Sequence, residues 1–272
     1  MRYKTVWISD LHLGTRGCDA LGLLEFLRET DFERLYLVGD VIDLWRLKKD
    51  HYWPQEHNDV VQKILRKGRK GAEIVIIPGN HDEFCRNFLG TYGNATIKTH
   101  DVYTTVDGRR LLVVHGHEFD SVTKHARWLA YLGDMGYTIL LRVNRPLNWM
   151  RRRLGLGYWS FSAYAKSKVK NAVKFISQFE SAVARYAQFY HADGIVCGHI
   201  HTPAIKHIGG LAYYNIGDWV ESSTALVEHF DGRIELVYWK QAESEATAAA
   251  GELPFDAADQ SELLVGEFEP VS

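Results

Sequence analysis

Five short clusters of Asp, His and Asn each close a run of apolar residues, and nothing else in this 272-residue chain constrains its fold as strongly. The run at residues 5–9 leads into Asp10-Leu11-His12, and that at 35–38 into Gly39-Asp40. Residues 74–77 lead into Pro78-Gly79-Asn80-His81-Asp82. Residues 111–114 lead into His115-Gly116-His117, and 195–197 into Gly198-His199-Ile200-His201. Continuous apolar runs rich in β-branched residues and bounded by Gly or Pro predict strands buried on both faces. Polar residues at the carboxyl ends of such strands lie where open α/β folds build their sites.

Taken singly, an Asp or Asn after a strand is an ordinary turn residue or helix cap. A single His is an ordinary hydrogen-bonded side chain. Five successive strand ends of this kind together predict a shared metal centre. His199 and His201 strengthen it, because residues two apart in an extended segment point the same way. Carboxylate, imidazole and amide donors without thiolate suit Mn²⁺, Fe²⁺ or Zn²⁺. Two such cations about 3.5–4 Å apart neutralise phosphate oxygens and favour in-line attack of hydroxide on phosphorus.

The motif order resembles that of the calcineurin-like metallophosphoesterase superfamily: D-x-H, G-D-x-x-D, G-N-H-D/E, H-G and G-H-x-H. The resemblance implies an α/β fold, a four-layer α/β/β/α sandwich, carrying two divalent metal ions, with Mn²⁺ expected and Fe²⁺ or Zn²⁺ as alternatives. It implies that Asp10, His12 and His201 hold one metal, that Asn80, His115 and His199 hold the other, and that Asp40 bridges them. His81 matches the family's catalytic histidine, and Asp82 the acid that orients it. Asp43 matches a residue supporting the metal ligands from behind.

Composition fits an enzyme domain with attachments: 46% of residues are hydrophobic and the net charge is −2, which gives no global sign of nucleic-acid binding. Cys18, Cys85 and Cys197 form an odd set with no C-x-x-C spacing, so they read as reduced thiols of a cytosolic protein. The chain enters a strand at once, without a signal peptide, and no apolar run reaches spanning length. Residues 1–240 are expected to form one domain with a helical cap inserted at about 121–190. Residues 241–272 are expected to form an acidic, flexible tail, since they contain no Lys or Arg.

The cap region is distinctive. Residues 135–179 contain no Asp or Glu but hold Arg142, Arg145, the triplet Arg151-Arg152-Arg153, and four lysines from Lys166 to Lys174. Trp149, Tyr158, Trp159, Phe161 and Tyr164 are interspersed among them. A helical approach, a basic-aromatic turn and a long helix at about 160–190 are predicted. Three readings apply: a solvated basic face, a nucleic-acid groove, or an element at an anionic membrane surface.

A narrower resemblance, over about residues 4–240, is to the UDP-2,3-diacylglucosamine pyrophosphatase branch, Mn²⁺-dependent enzymes of lipid A synthesis with a cap in this place. It implies cleavage of a nucleotide-linked glycolipid to UMP and 2,3-diacylglucosamine 1-phosphate, by a peripheral protein at the cytoplasmic face of the inner membrane. Asp120, Ser160, Lys166 and Lys170 are the expected substrate contacts. The chain departs from the branch at His81, where its best-known members carry Arg, and at His117, where they carry Asp. The alternative is a soluble phosphomonoesterase, phosphodiesterase or nuclease with the same metals. Oligomeric state stays open. After the fifth motif, runs at 204–208, 211–215, 225–229 and 233–237 predict strands of the second sheet, with hairpin turns at Gly209-Gly210 and Asp231-Gly232.

Overall fold

The computed structural model describes residues 1–119 and 176–239. Alternation of side chains along the strands builds the layers. β1 (Arg2–Ile8), β2 (Asp31–Val38) and β3 (Glu73–Ile77) are parallel neighbours. Leu35, Leu37 and Ile74 face one core, while Tyr36, Val38, Val75 and Ile77 face another. The first core is closed by α1 (Ala20–Glu29) and α3 (Gln55–Arg69), which bury Leu23, Phe26, Leu27, Val60 and Ile64. Between them runs the single turn α2 (Leu44–Leu47).

The second core lies between two sheets. β4 (Gly90–Tyr92), β5 (Ala95–Ile97) and β6 (Asp101–Thr104) are short. β7 (Arg110–Val113) and β8 (Gly194–Cys197) are parallel, and β9 (Ala204–Ile208) and β10 (Leu211–Asn215) form a hairpin. β11 (Thr224–Glu228) and β12 (Ile234–Tyr238) form another. The first sheet runs β12-β11-β1-β2-β3-β5-β4 and the second β6-β7-β8-β10-β9. Leu111, Val113, Val196, Ala212 and Tyr214 of the second sheet meet Trp7, Tyr36 and Val75 of the first.

The opposite face of the second sheet presents Leu112, Ile195, Cys197 and Tyr213 to a helix at residues 176–189, here α4. α4 buries Phe179, Ala182, Val183 and Ala187, a spacing that lines one helical face. Helix, sheet, sheet and helix are the expected four layers, and α4 lies within the predicted long helix. One expectation is corrected. β11 and β12 join the first sheet, where β11 pairs antiparallel with β1, so only β9 and β10 of the four late strands belong to the second. The cap proper, with Asp120, Ser160, Lys166 and Lys170, and the acidic tail lie outside the described residues.

Candidate metal centre

Every predicted ligand follows a strand that is parallel to its neighbour, so the five loops converge at one end of the sandwich. Asp10, His12, Asp40 and Asn80 come from the first sheet, and His115, His199 and His201 from the second. Backbone bonds hold the loops in register. Asp10 N–H donates to the Gly39 carbonyl at 3.1 Å and His12 N–H to the Asp40 carbonyl at 2.9 Å. Beside the ligands, bonds also cross between the sheets: His199 N–H donates to Asp10 Oδ2 at 2.8 Å, and His115 Nδ1 to the Val38 carbonyl at 3.0 Å. A carbonyl only accepts, so Nδ1 of His115 carries a proton, and Nε2 is the nitrogen left for a cation to take.

Backbone strain is concentrated on the predicted ligands. Asp10 (φ 53°), His12 (49°), Asp40 (51°), His199 (71°) and His201 (50°) all adopt the left-handed conformation. Each such residue costs of order 1–3 kcal/mol and persists where surrounding structure enforces it. Glycine is required beside them. At Gly39 φ is +76°, and an added Cβ would lie 2.1 Å from His115 Nδ1. At Gly79 it would lie 2.2 Å from Asp40 Oδ1 and 2.6 Å from the Asp40 backbone nitrogen. Gly39→Ala combines both penalties and is expected to cost about 2–6 kcal/mol. Thermal melting of the variant checks this; a melting temperature equal to that of the parent would contradict the packing described.

The donor atoms have the spacing of a shared cation. Asp10, His12 and His201 bring ligand atoms within 4.8 Å of one another, and so do Asp40, His115 and His199. Asp40 Oδ2 is the hub. It lies 3.5 Å from His115 Nε2 and 3.9 Å from Nε2 of both His12 and His81. His201 Nε2 lies 3.2 Å from Asp10 Oδ1. Two donors on one metal at ~2.1 Å stand roughly 3–3.5 Å apart, so these separations suit a metal. The buried amide of Asn80 has no hydrogen-bond partner at either its oxygen or its nitrogen, a costly state unless a ligand fills it. The residues present therefore fit a dinuclear centre.

Charge balance points the same way. Burial alone would raise the Asp10 carboxyl, but His115 and His201 outweigh it and hold it at about 2. The same contest, won by His115, His12 and His81, keeps Asp40 well below the carboxylate range. Burial would lower His115, but Asp40 and Asp10 push it up to about 10. His201 is pushed up to about 9, against burial, by Asp10 and Asp218. In chelator-treated protein these protonated rings therefore stabilise the fold fully below the ordinary value of 6.5, and that contribution is lost as pH rises through 9 to 10. A cation displaces both protons. Mn²⁺ affinity should rise with pH up to about 10, and calorimetry near neutral pH in buffers of differing ionisation enthalpy should read release of about two protons per chain. A titration that releases no protons would contradict this balance.

Asp43 and Asp82 have distinct places. Asp43 Oδ1 caps α2, accepting the Arg46 N–H at 2.7 Å. Its Oδ2 lies 3.2 Å from His12 Nδ1 and 3.0 Å from His81 Nδ1. It thus backs both His12 and His81. Asp82 was expected in that second role. Its carboxylate instead accepts the N–H groups of Gly79 (2.6 Å), Val41 (2.7 Å), Asp40 (3.3 Å) and Ile42 (3.4 Å), pinning the Asp40 loop to the Asn80 loop. His81 N–H donates to Asp40 Oδ1 at 2.8 Å.

Three neighbours were not among the expected site residues. Trp45 of α2 lies against the His81 ring, with centroids 4.3 Å apart, and is 51% exposed. Asp218 is fully buried 3.8 Å from His201 Nδ1. Arg86 contacts His117 Nε2 at 3.0 Å. Trp45 follows the Asp43 cap by two residues, a local signal that could have found it. Asp218 falls in the polar break after β10, while Arg86 carries no local signal. His117 is a hydrogen-bonded neighbour of the ligand shell; burial holds its ring down at about 4, despite Glu118. Cys18, Cys85 and Cys197 form no disulfide.

Comparison with known proteins agrees with the geometry. The profile of the family described as calcineurin-like phosphoesterase matches residues 3–203. A UDP-2,3-diacylglucosamine hydrolase of Neisseria meningitidis is 26% identical over 227 residues, covering 78% of this chain and 88% of that protein. One of Vibrio cholerae is 23% identical over 241 residues, covering 82% and 93%. Among solved structures, an archaeal phosphodiesterase gives a TM-score of 0.42 at 11% identity, covering 86% of this chain and 98% of its own. The chain belongs to the calcineurin-like phosphoesterase family and is a metal-dependent hydrolase of phosphate esters or anhydrides.

Proposed function

We propose that the protein cleaves the pyrophosphate of UDP-2,3-diacylglucosamine, giving UMP and 2,3-diacylglucosamine 1-phosphate. The observation that carries this is the similarity, over 78–82% of the chain, to hydrolases named for that substrate. The bound cations supply Lewis acidity and an activated nucleophile at neutral pH. Asp10, His12 and His201 would hold one, Asn80, His115 and His199 the other, and Asp40 would touch both. His81 is held by Asp43 behind and Trp45 on one face, with Nε2 turned toward Asp40. In this reading it donates a proton to the leaving oxygen. Asp82 fixes the Asp40 and Asn80 loops. The cap, with its basic and aromatic residues, would take up the glycolipid at the cytoplasmic face of the inner membrane, Mn²⁺ being the working metal. No helix among the described residues is long and apolar enough to cross a membrane.

A second reading, a phosphoesterase or nuclease acting on another substrate, is favoured by His81, which restores the general family pattern where the glycolipid branch has Arg. One assay separates the two: Mn²⁺-dependent release of UMP from UDP-2,3-diacylglucosamine, run beside nitrophenyl phosphate esters and single-stranded DNA. UMP release as the dominant activity supports the first reading. Strong cleavage of the esters or of DNA without UMP release establishes the second.

A further inference from the structure

We propose that Arg86 is a positioning residue that ties the two halves of the metal centre together and sets the site of Asn80, His115 and His199. The inference rests on the dinuclear reading above. Asn80 follows β3 of the first sheet and His115 follows β7 of the second, so a cation held by both needs the two loops at a fixed separation. Among the described residues, Arg86 is a side chain that spans them directly.

Its own backbone is registered to the Asn80 loop. Arg86 lies on the 3₁₀ turn Glu83–Phe88, which begins at Asp82, and Cys85 N–H donates to the Asp82 carbonyl at 2.9 Å. The Asp82 carboxylate in turn grips Gly79 and the Asp40 loop. From this base Arg86 Nη2 reaches the facing turn, His117–Phe119. It lies 3.0 Å from His117 Nε2 and donates to Glu118 Oε1 at 2.8 Å. The second Glu118 oxygen accepts the Gly116 N–H at 3.2 Å and lies 3.7 Å from His117 Nδ1. One guanidinium nitrogen thus restrains the ring and the carboxylate that shape the loop carrying His115.

The restrained ring touches the ligands. The His117 centroid lies 5.3 Å from that of His115 and 6.3 Å from that of His199. Gly116 sits against Phe179 of α4, where an added Cβ would meet the ring at 2.9 Å, so the loop is walled on its other side. Arg86 and Glu118 are both partly shielded, at 28% and 30% exposure of their side chains. That shielding makes the pair stronger than an open surface bridge. Lysine would keep the charge but replace the planar, delocalised guanidinium with a compact ammonium on a flexible stem, which places its donors less rigidly.

Mn²⁺ titration of the full chain, followed by the electron paramagnetic resonance of free Mn²⁺, tests this without using turnover. Wild-type protein is expected to bind two ions. Arg86→Ala should weaken one of them by roughly 10- to 100-fold, the range found for residues that orient ligands, and leave the other within about threefold. Arg86→Lys should fall between. Arg109→Ala, which removes a bridge to Asp107 remote from the centre, should bind both ions as wild type does. Two ions bound with unchanged affinity in Arg86→Ala would overturn the proposal alone. Equal weakening of both ions together with a lowered melting temperature would also overturn it, since that marks a general folding role. A wild-type chain that binds a single ion would overturn the dinuclear reading and the proposal with it.

Discussion

Asp40→Ala is expected to lower metal-dependent turnover by roughly three decades or more, because losing a cation removes several kcal/mol of transition-state stabilisation. The geometry makes Asp40 the most sensitive single position. Its Oδ2 stands within 3.9 Å of three imidazole Nε2 atoms, drawn from β1, β3 and β7 loops on both sheets. It is also almost fully buried, at 2% exposure, so water cannot substitute for it in place. Its removal takes away the carboxylate that stands 3.5 Å from His115 Nε2 and 3.9 Å from His12 Nε2. The variant should lose metal as well as activity, and metal content after dialysis separates that outcome from unfolding. Turnover within tenfold of the parent would refute the role of Asp40.

His81→Ala is expected to lower kcat by roughly 10²- to 10⁴-fold, the usual contribution of a positioned proton donor, with both cations retained. The loss should depend on the leaving group. An alkyl leaving oxygen needs a proton as the bond breaks, whereas a nitrophenolate or a phosphate monoester departs well without one. Nitrophenyl phosphate esters should therefore lose much less activity than the corresponding alkyl phosphate esters. Equal losses on both substrates would show that His81 acts on binding or on the metals instead. Asp43→Asn should lower kcat more mildly and also weaken the cation held through His12, because Asp43 Oδ2 faces both His81 at 3.0 Å and His12 at 3.2 Å.

Much of this site was legible because both faces of its strands are buried. β1, β2, β3, β7 and β8 read as unbroken apolar runs, and the polar residue ending each run was therefore conspicuous. The hairpins of β9–β10 and β11–β12 were legible from Gly209-Gly210 and Asp231-Gly232. Which sheet the second hairpin joins was not, since β11 pairs with β1 across more than 200 residues of chain and no local signal records that. β4, β5 and β6 were missed because they are only three or four residues long, and β4 is exposed throughout. The exchange of roles between Asp43 and Asp82 has a similar cause. Asp82 adjoins His81 in sequence, but the backbone turns into a 3₁₀ helix there and carries its carboxylate to the amides of Gly79 and Val41. Adjacency in the chain was a poor guide to adjacency in space, and the same applies to Arg86 and His117.

Anomalous diffraction from crystals of the full chain grown with Mn²⁺ tests the central claim most directly. The account predicts two manganese peaks about 3.5–4 Å apart, with Asp40 contacting both. One peak should be ringed by Asp10, His12 and His201, the other by Asn80, His115 and His199. A single peak, or two peaks that do not share Asp40, would contradict it.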